Sequence, residues 1–339
     1  MQKTLLSKEN MCRYNADILI ACIGLSAVGI YNNGVMALYQ IALCLLSSVL
    51  SEIIAFRIIL KKNTLSDLSA VVSGLIIALL LPAAAPLWVG VIACLIAVFI
   101  GKMPFGDSRN APFLPAAVGF CFVAMLFPQQ VFTYSALSDS VNTLFSNQEG
   151  FIKGATISDM LSTGDSLPIN IFSLASVFSG RVPGAMGATS LFALIGAFCY
   201  LLIRQAKNII PSFAFILAAV GLSLAFPRTN ADLLTSAIME ISAGSLLFVA
   251  IIMFSNPVNA PQGKFKAFLY GLTAGAVAML LRYFSKTADP AVFSVMIMNA
   301  LMPVIFKADT AKKNKEKKEK KEKKEKKNKQ LKEETENEA

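Results

Sequence analysis

No histidine occurs among the 339 residues of this chain, which removes imidazole-ligated haem, imidazole-based metal sites and histidine general bases together. Cysteine is scarce too. Cys12, Cys22, Cys44, Cys94, Cys121 and Cys199 stand apart from one another, and no pair has the two-residue separation of metal or iron–sulfur ligation. No metal site is expected, and burial among apolar neighbours is the expected role of the thiols. Charged residues make up only 15% of the chain against 55% hydrophobic, with a mean hydropathy of +0.61. Too few polar side chains remain to cover a water-soluble globule, so the bilayer is the expected solvent. The formal net charge of +10 does not point to nucleic acid, because residues 307–339 hold 14 lysines against 9 Asp and Glu, half of that excess. Residues 1–15 carry Lys3, Lys8, Glu9 and Arg13 without a small-residue cleavage site, and read as a cytoplasmic lead-in rather than a signal peptide.

What the chain does have is a succession of apolar runs of roughly 15–22 residues, the length that crosses about 30 Å of hydrocarbon as a helix. They fall at approximately 16–31, 35–56, 68–82, 87–101, 114–128, 188–203, 209–226, 233–254, 267–284 and 290–306. The fold expected is therefore an all-α polytopic membrane protein with about ten transmembrane helices. Basic residues are retained on the cytoplasmic side. With the N-terminus inside, the inner segments collect Arg57, Lys61, Lys62, Lys102, Arg109, Arg204, Lys207, Lys264, Lys266 and the tail, leaving Lys153, Arg181, Arg228, Arg282 and Lys286 outside. Both termini are then cytoplasmic. The organisation that follows is a lead (1–15), a first transmembrane half (16–128), an extracytoplasmic loop (129–187), a second half (188–306) and a charged cytoplasmic tail (307–339). Two five-helix halves entering the membrane in opposite directions form an inverted repeat, with the functional centre expected between them.

Acids inside a membrane are costly unless they face a partner or a cavity, which singles out Glu52 and Glu240. Glu52 is placed to snorkel toward the inner interface near Arg57, and Glu240 to pair with Arg228; lining a cation path is the functional alternative for both. Between the fourth and fifth runs, Lys102 and the Gly/Pro-broken loop 105–113 with Arg109 and Asn110 can offer charge and backbone N–H groups to an anion or a flat heterocycle. The Lys/Glu tail has too little apolar content to pack and is expected to be solvated, with some attraction to anionic headgroups. Truncation after Lys307 is expected to leave assembly of the membrane body nearly intact.

Three ordered stretches carry a resemblance. Phe105-Gly106, Asn110-Ala111-Pro112-Phe113 and Pro115-Ala116-Ala117-Val118-Gly119 come first, then Ser255-Asn256-Pro257-Val258-Asn259-Ala260-Pro261, then Met298-Asn299-Ala300-Leu301-Met302-Pro303. Together they resemble the NqrB/RnfD family of flavin-carrying membrane electron-transfer subunits, over about residues 35–306. The resemblance implies the D subunit of an Rnf-type ion-translocating ferredoxin/NAD oxidoreductase complex, or the equivalent B subunit of a sodium-pumping NADH:quinone reductase, in a bacterial cytoplasmic (inner) membrane. It also implies FMN bound covalently through its phosphate to a threonine. Glu149-Gly150-Phe151-Ile152-Lys153-Gly154-Ala155-Thr156 matches the family's acceptor sequence, which makes Thr156 the acceptor, in a loop open to a flavin transferase. Thr189, in the second Gly-Ala-Thr, falls at a family span start and is read as structural. A second, non-covalent flavin such as riboflavin is implied within the membrane, with Lys102, Arg109 and Asn110 as candidate contacts. The implied partners are the other membrane, flavin and iron–sulfur subunits of such a complex; the chain is not catalytic alone. It departs from the family at Lys153, at Asn256 and at Phe306, where small hydroxyl, Asp and Asp are usual. Two other readings share the plan of inverted halves: a urea- or ammonium-like channel or transporter, and a flavin-free assembly subunit.

Overall fold

The computed structural model describes residues 8–60, 67–106, 108, 110–134, 154, 156–163, 174–205, 208–228, 233–261, 263–285 and 289–302. Arg109, residues 135–153 and the charged tail lie outside the described residues. Within them every regular element is helical. Helix α1 (Lys8–Asn33) starts inside the predicted lead-in, because Met11, Tyr14 and Asn15 are buried there and Asn15 donates to the Asp67 carbonyl over 2.6 Å. Gly34, at φ +72, separates it from α2 (Val35–Glu52), which runs on as a π-helical stretch, Ile53–Ile59. Then come α3 (Ser69–Leu80), α4 (Leu87–Phe99), a 3-10 turn at Met103–Phe105, α5 (Pro115–Leu126) and the short α6 (Pro128–Val131). Two short helices, α7 (Ile157–Thr163) and α8 (Leu174–Ser179), precede the second apolar series. That series is α9 (Leu191–Arg204), α10 (Ile210–Ala225), α11 (Leu233–Ser242), α12 (Leu246–Phe248) with a π-helical extension Val249–Met253, α13 (Lys264–Phe284) and α14 (Ala291–Met302).

Each predicted apolar run contains an apolar helix, or in the case of 233–254 a pair of them. By length and composition, four stretches are able to cross a membrane, namely Asn10–Asn33, Val35–Ile59, Leu87–Phe105 and Lys264–Phe284. A fifth is Leu233–Ser242 with Leu246–Met253, bent by 69° at its break. The other five helices are shorter, and prolines account for part of this: Pro82 follows α3, while Pro115 and Pro211 open α5 and α10, where the missing N–H costs nothing. This is a multi-pass membrane architecture.

Small residues let the helices approach. A Cβ at Gly271 would strike the Pro211 carbonyl, and one at Gly119 the Ala93 carbonyl, so α10 lies tightly on α13 and α4 on α5, as expected where no hydrophobic force separates helix from lipid. Phe192, Ile203, Phe265 and Phe284 point outward. Of the cysteines, Cys22, Cys44, Cys94 and Cys121 are buried and Cys199 is exposed. The chain divides into two compact units, Met1–Asn299 and Ala300–Ala339.

Candidate functional site

The first polar centre sits where α2 changes to π-helical geometry. Glu52 is the last α-helical residue of α2, and its carboxylate Oε1 lies 2.6 Å from Nζ of Lys102, just past the end of α4. Both side chains are buried, to 1% and 2% exposure. Nζ also donates to Oγ of Ser69 at the start of α3, over 2.6 Å, and stands 5.1 Å from the centre of the Phe56 ring. Glu52 therefore does not snorkel toward Arg57 as its spacing suggested; a buried cation 50 positions on holds it in the interior, where an ion pair persists only if hydrogen-bonded on both sides.

A cavity adjoins this centre. Its walls come from α1 (Met11, Tyr14, Asn15, Ile18), from α3 (Ser69, Val72, Ser73, Ile76), from the connection into α5 (Ser108, Phe113, Leu114, Pro115) and from the second apolar series (Ile252, Asn256, Asn259). Its enclosed space is about 30 Å³, room for a water or two rather than for a ring system. Its wall is mostly apolar with a few polar groups. Asn256 uses its carbonyl oxygen to accept the Val258 N–H over 2.9 Å, which leaves its amide protons directed elsewhere. Asn110 is exposed and is not part of the wall. Lys102 reaches the cavity only through Ser69. Sequence reasoning missed Asn15, Ser69 and Ser73; the signal available was their position as polar residues near the ends of apolar runs.

The second polar centre braces the break between α11 and α12. Gly244 (φ +60) makes the turn, and a Cβ there would meet Asp289 and Arg282 at 3.0 and 3.1 Å. Arg282, from α13, donates to the carbonyls of Glu240 and Ala243, each over 2.6 Å, while a carboxylate oxygen of Asp289 accepts the Ser245 N–H over 2.7 Å. The loose carbonyls of one helix and a loose N–H of the next are thereby satisfied in the membrane, as they must be. Glu240 pairs with Arg228, as its position predicted, through Nη2–Oε1 at 2.5 Å and Nε–Oε2 at 3.3 Å. Arg282, read from the sequence as an outer-side charge, is 3% exposed. Nearby, burial with added repulsion from Asp289 and Asp159 pushes the Tyr134 phenol well above its ordinary range.

Thr156 stands at the N-terminus of α7. Its Oγ1 accepts the Asp159 N–H over 3.1 Å, and the Asp159 carboxylate accepts the Thr156 N–H over 3.1 Å, a reciprocal cap. The residue is 4% exposed. Ile157 and Leu161 of α7 pack with Val177, Val182, Met239 and Ala243, so the candidate acceptor is docked on the broken helix rather than held in an open loop. Thr189 is 7% exposed. Among the described residues no cluster of three or more metal-ligating side chains occurs.

Residues 4–314 match the description of the NQR2, RnfD, RnfE family, and the chain belongs to that family. The D subunit of the ion-translocating oxidoreductase complex of Haemophilus influenzae (strain PittEE) is 28% identical, over 85% of this chain and 89% of its own length. The D subunit of the Na(+)-translocating ferredoxin:NAD(+) oxidoreductase complex of Acetobacterium woodii is 26% identical over 88% and 89%. The D subunit of the proton-translocating ferredoxin:NAD(+) oxidoreductase complex of Clostridium ljungdahlii is 27% identical over 88% and 90%.

Proposed function

We propose that this chain is the D subunit of an Rnf-type ion-translocating ferredoxin:NAD oxidoreductase complex in a bacterial inner membrane. In that role it relays electrons between neighbouring flavin and iron–sulfur subunits. It carries FMN on Thr156, attached by a flavin transferase, and a second, non-covalent flavin within the membrane. The observation that carries this reading is the family match over residues 4–314, with relatives that are D subunits of such complexes along nearly their whole length. The cavity beside Ser69 is too small for a flavin ring system, so the second flavin is not assigned to it. The bound flavins supply the one- and two-electron chemistry, while the protein sets their distance, their potential and the access of water. The acceptor hydroxyl is buried and already hydrogen-bonded, so attachment at Thr156 requires α7 to be undocked when the transferase acts.

Ten spans in two inverted halves with both termini cytoplasmic remain part of this proposal. A local correspondence supports it: Leu114-Pro115-Ala116 opens α5 as Asp289-Pro290-Ala291 opens α14, and each half has a buried cation near the end of the preceding long helix, Lys102 and Arg282, engaged with a glutamate's side chain or carbonyl. Single cysteines at Ser146 and Lys329, in a background lacking Cys12 and Cys199, are expected to label from opposite sides; labelling from one side overturns the topology.

The function is tested by running the purified protein on a denaturing gel. A yellow, fluorescent band is expected at the mass of this chain. Its absence despite an active transferase would favour the flavin-free assembly role.

A further inference from the structure

We infer that the break between α11 and α12 is a cation site, that the guanidinium of Arg282 fills it as a tethered cation, and that a free monovalent cation takes the same seat once that side chain is withdrawn. The arginine is then a plug, and the seat is closed to mobile ions while it is in place.

A helix that breaks inside a membrane leaves carbonyls at the end of its first part, where the helix dipole is negative. At the end of α11 the Glu240 and Ala243 carbonyls converge on Arg282, each accepting from its own Nη over 2.6 Å. The Glu240 carboxylate adds Oε1, 3.9 Å from Nη1. Carbonyls of a half-helix end, joined by acid oxygens, are what membrane proteins use to replace the hydration shell of a small cation. Arg282 stands in the last turn of α13, so a shift of that helix end alone draws the guanidinium out of the seat.

Two further oxygens at the break are left over by the arginine. Asp289 Oδ1 and Ser245 Oγ have no hydrogen-bond partner among the described residues, in residues 2% and 0% exposed. The other Asp289 oxygen is held by the Ser245 N–H at 2.7 Å, which fixes the carboxylate in place. The point where a Cβ on Gly244 would stand lies 3.0 Å from Oδ1 and 3.1 Å from Arg282 Nη2. The unpartnered oxygen and the guanidinium therefore border the same spot, without a hydrogen bond between them. Charge sets the valence of the ion. Arg228 is engaged by Glu240, so withdrawal of Arg282 leaves Asp289 as the carboxylate without a counter-ion, and one positive charge restores the balance.

The test is thermal unfolding of the detergent-solubilised full chain in choline chloride, with choline replaced by Na+, K+ or guanidinium at millimolar level and constant ionic strength. Arg282→Ala, which opens the seat, is expected to regain about 3–5 °C, saturably, with at least one of the three cations. Wild type and Arg282→Leu, in which a side chain fills the seat, are expected to respond to none. Adding Asp289→Asn to Arg282→Ala removes the unbalanced charge and is expected to abolish the response. Should Arg282→Ala not be recovered in choline, solubilisation in one of the three salts is expected to recover it. No response of Arg282→Ala to any of the cations, or no recovery in any of the salts, would overturn the inference. An equal response in wild type or in Arg282→Leu would overturn it as well, since the ion would then act elsewhere, and so would a response that survives Asp289→Asn.

Discussion

Replacing Arg282 with leucine is expected to lower the stability of the folded protein by about 3–5 kcal/mol, the usual loss when one partner of a buried charge network is removed. The size follows from what the guanidinium does. It satisfies two carbonyls at the break between α11 and α12, each at 2.6 Å, and stands 3.9 Å from the Glu240 carboxylate. Leucine would leave those carbonyls without a donor in an apolar interior and Asp289 with less compensating charge. Arg228 would still hold Glu240. Lysine at position 282 restores the charge but not the planar fork that reaches two carbonyls at once, so Arg282→Lys should lie between leucine and wild type. The measurement is thermal unfolding of the detergent-solubilised protein. Arg204→Leu is the milder comparison: its side chain is 58% exposed, and its partner Asp17 keeps the Gln205 amide at 3.0 Å, so a smaller loss is expected. An Arg282→Leu protein as stable as Arg204→Leu would show that the broken helix does not depend on its brace.

The sequence displayed the helices far better than what joins them. Apolar length is a one-dimensional property, and the run at 35–56 becomes α2 with little shift at its start, since Gly34 marks the boundary in the sequence as in the structure. The start of α1 was not legible. Asn10, Arg13 and Asn15 look like a solvated lead and Asp17 like the edge of the first apolar run, yet Asp17 accepts from Gln205 at 3.0 Å and from Arg204, and Tyr14 reaches Ser255 at 3.4 Å. Those partners lie about 190 to 240 positions away, and no local pattern announces them. Glu52 shows the same limit: its charge marked it as exceptional, but the nearest cation in sequence, Arg57, was not the partner the fold supplies. Glu240 was easier, because Arg228 lies only 12 positions before it. At the site, Lys102 was visible as a basic residue in a broken segment, whereas Ser69 had no feature to distinguish it from other serines. The fold sets the donor-only ammonium of Lys102 against it.

Thr156→Ala is expected to abolish covalent flavin completely, since the phosphoester needs the side-chain oxygen and the family resemblance points to this threonine. Alanine also removes the cap of α7, a loss of about 1 kcal/mol, so the hydroxyl and the cap must be separated. Thr156→Asn does this: asparagine caps a helix as well as threonine does but offers no hydroxyl to esterify, and it too should carry no adduct. Thr189→Ala should keep it. Loss of the cap alone is the more interesting arm. Asp159→Ala removes the carboxylate that accepts the Thr156 N–H while leaving the acceptor oxygen in place. If burial of Thr156 in the docked α7 limits access, the adduct should form faster in Asp159→Ala than in wild type when purified transferase and its flavin donor are added to unmodified protein. Intact mass and peptide analysis over time reads all four variants. An adduct on Thr189, or none on wild type with an active transferase, would remove the assignment. An unchanged rate in Asp159→Ala would show that docking of α7 on Met239 and Ala243, and not the reciprocal cap, is what shields the threonine.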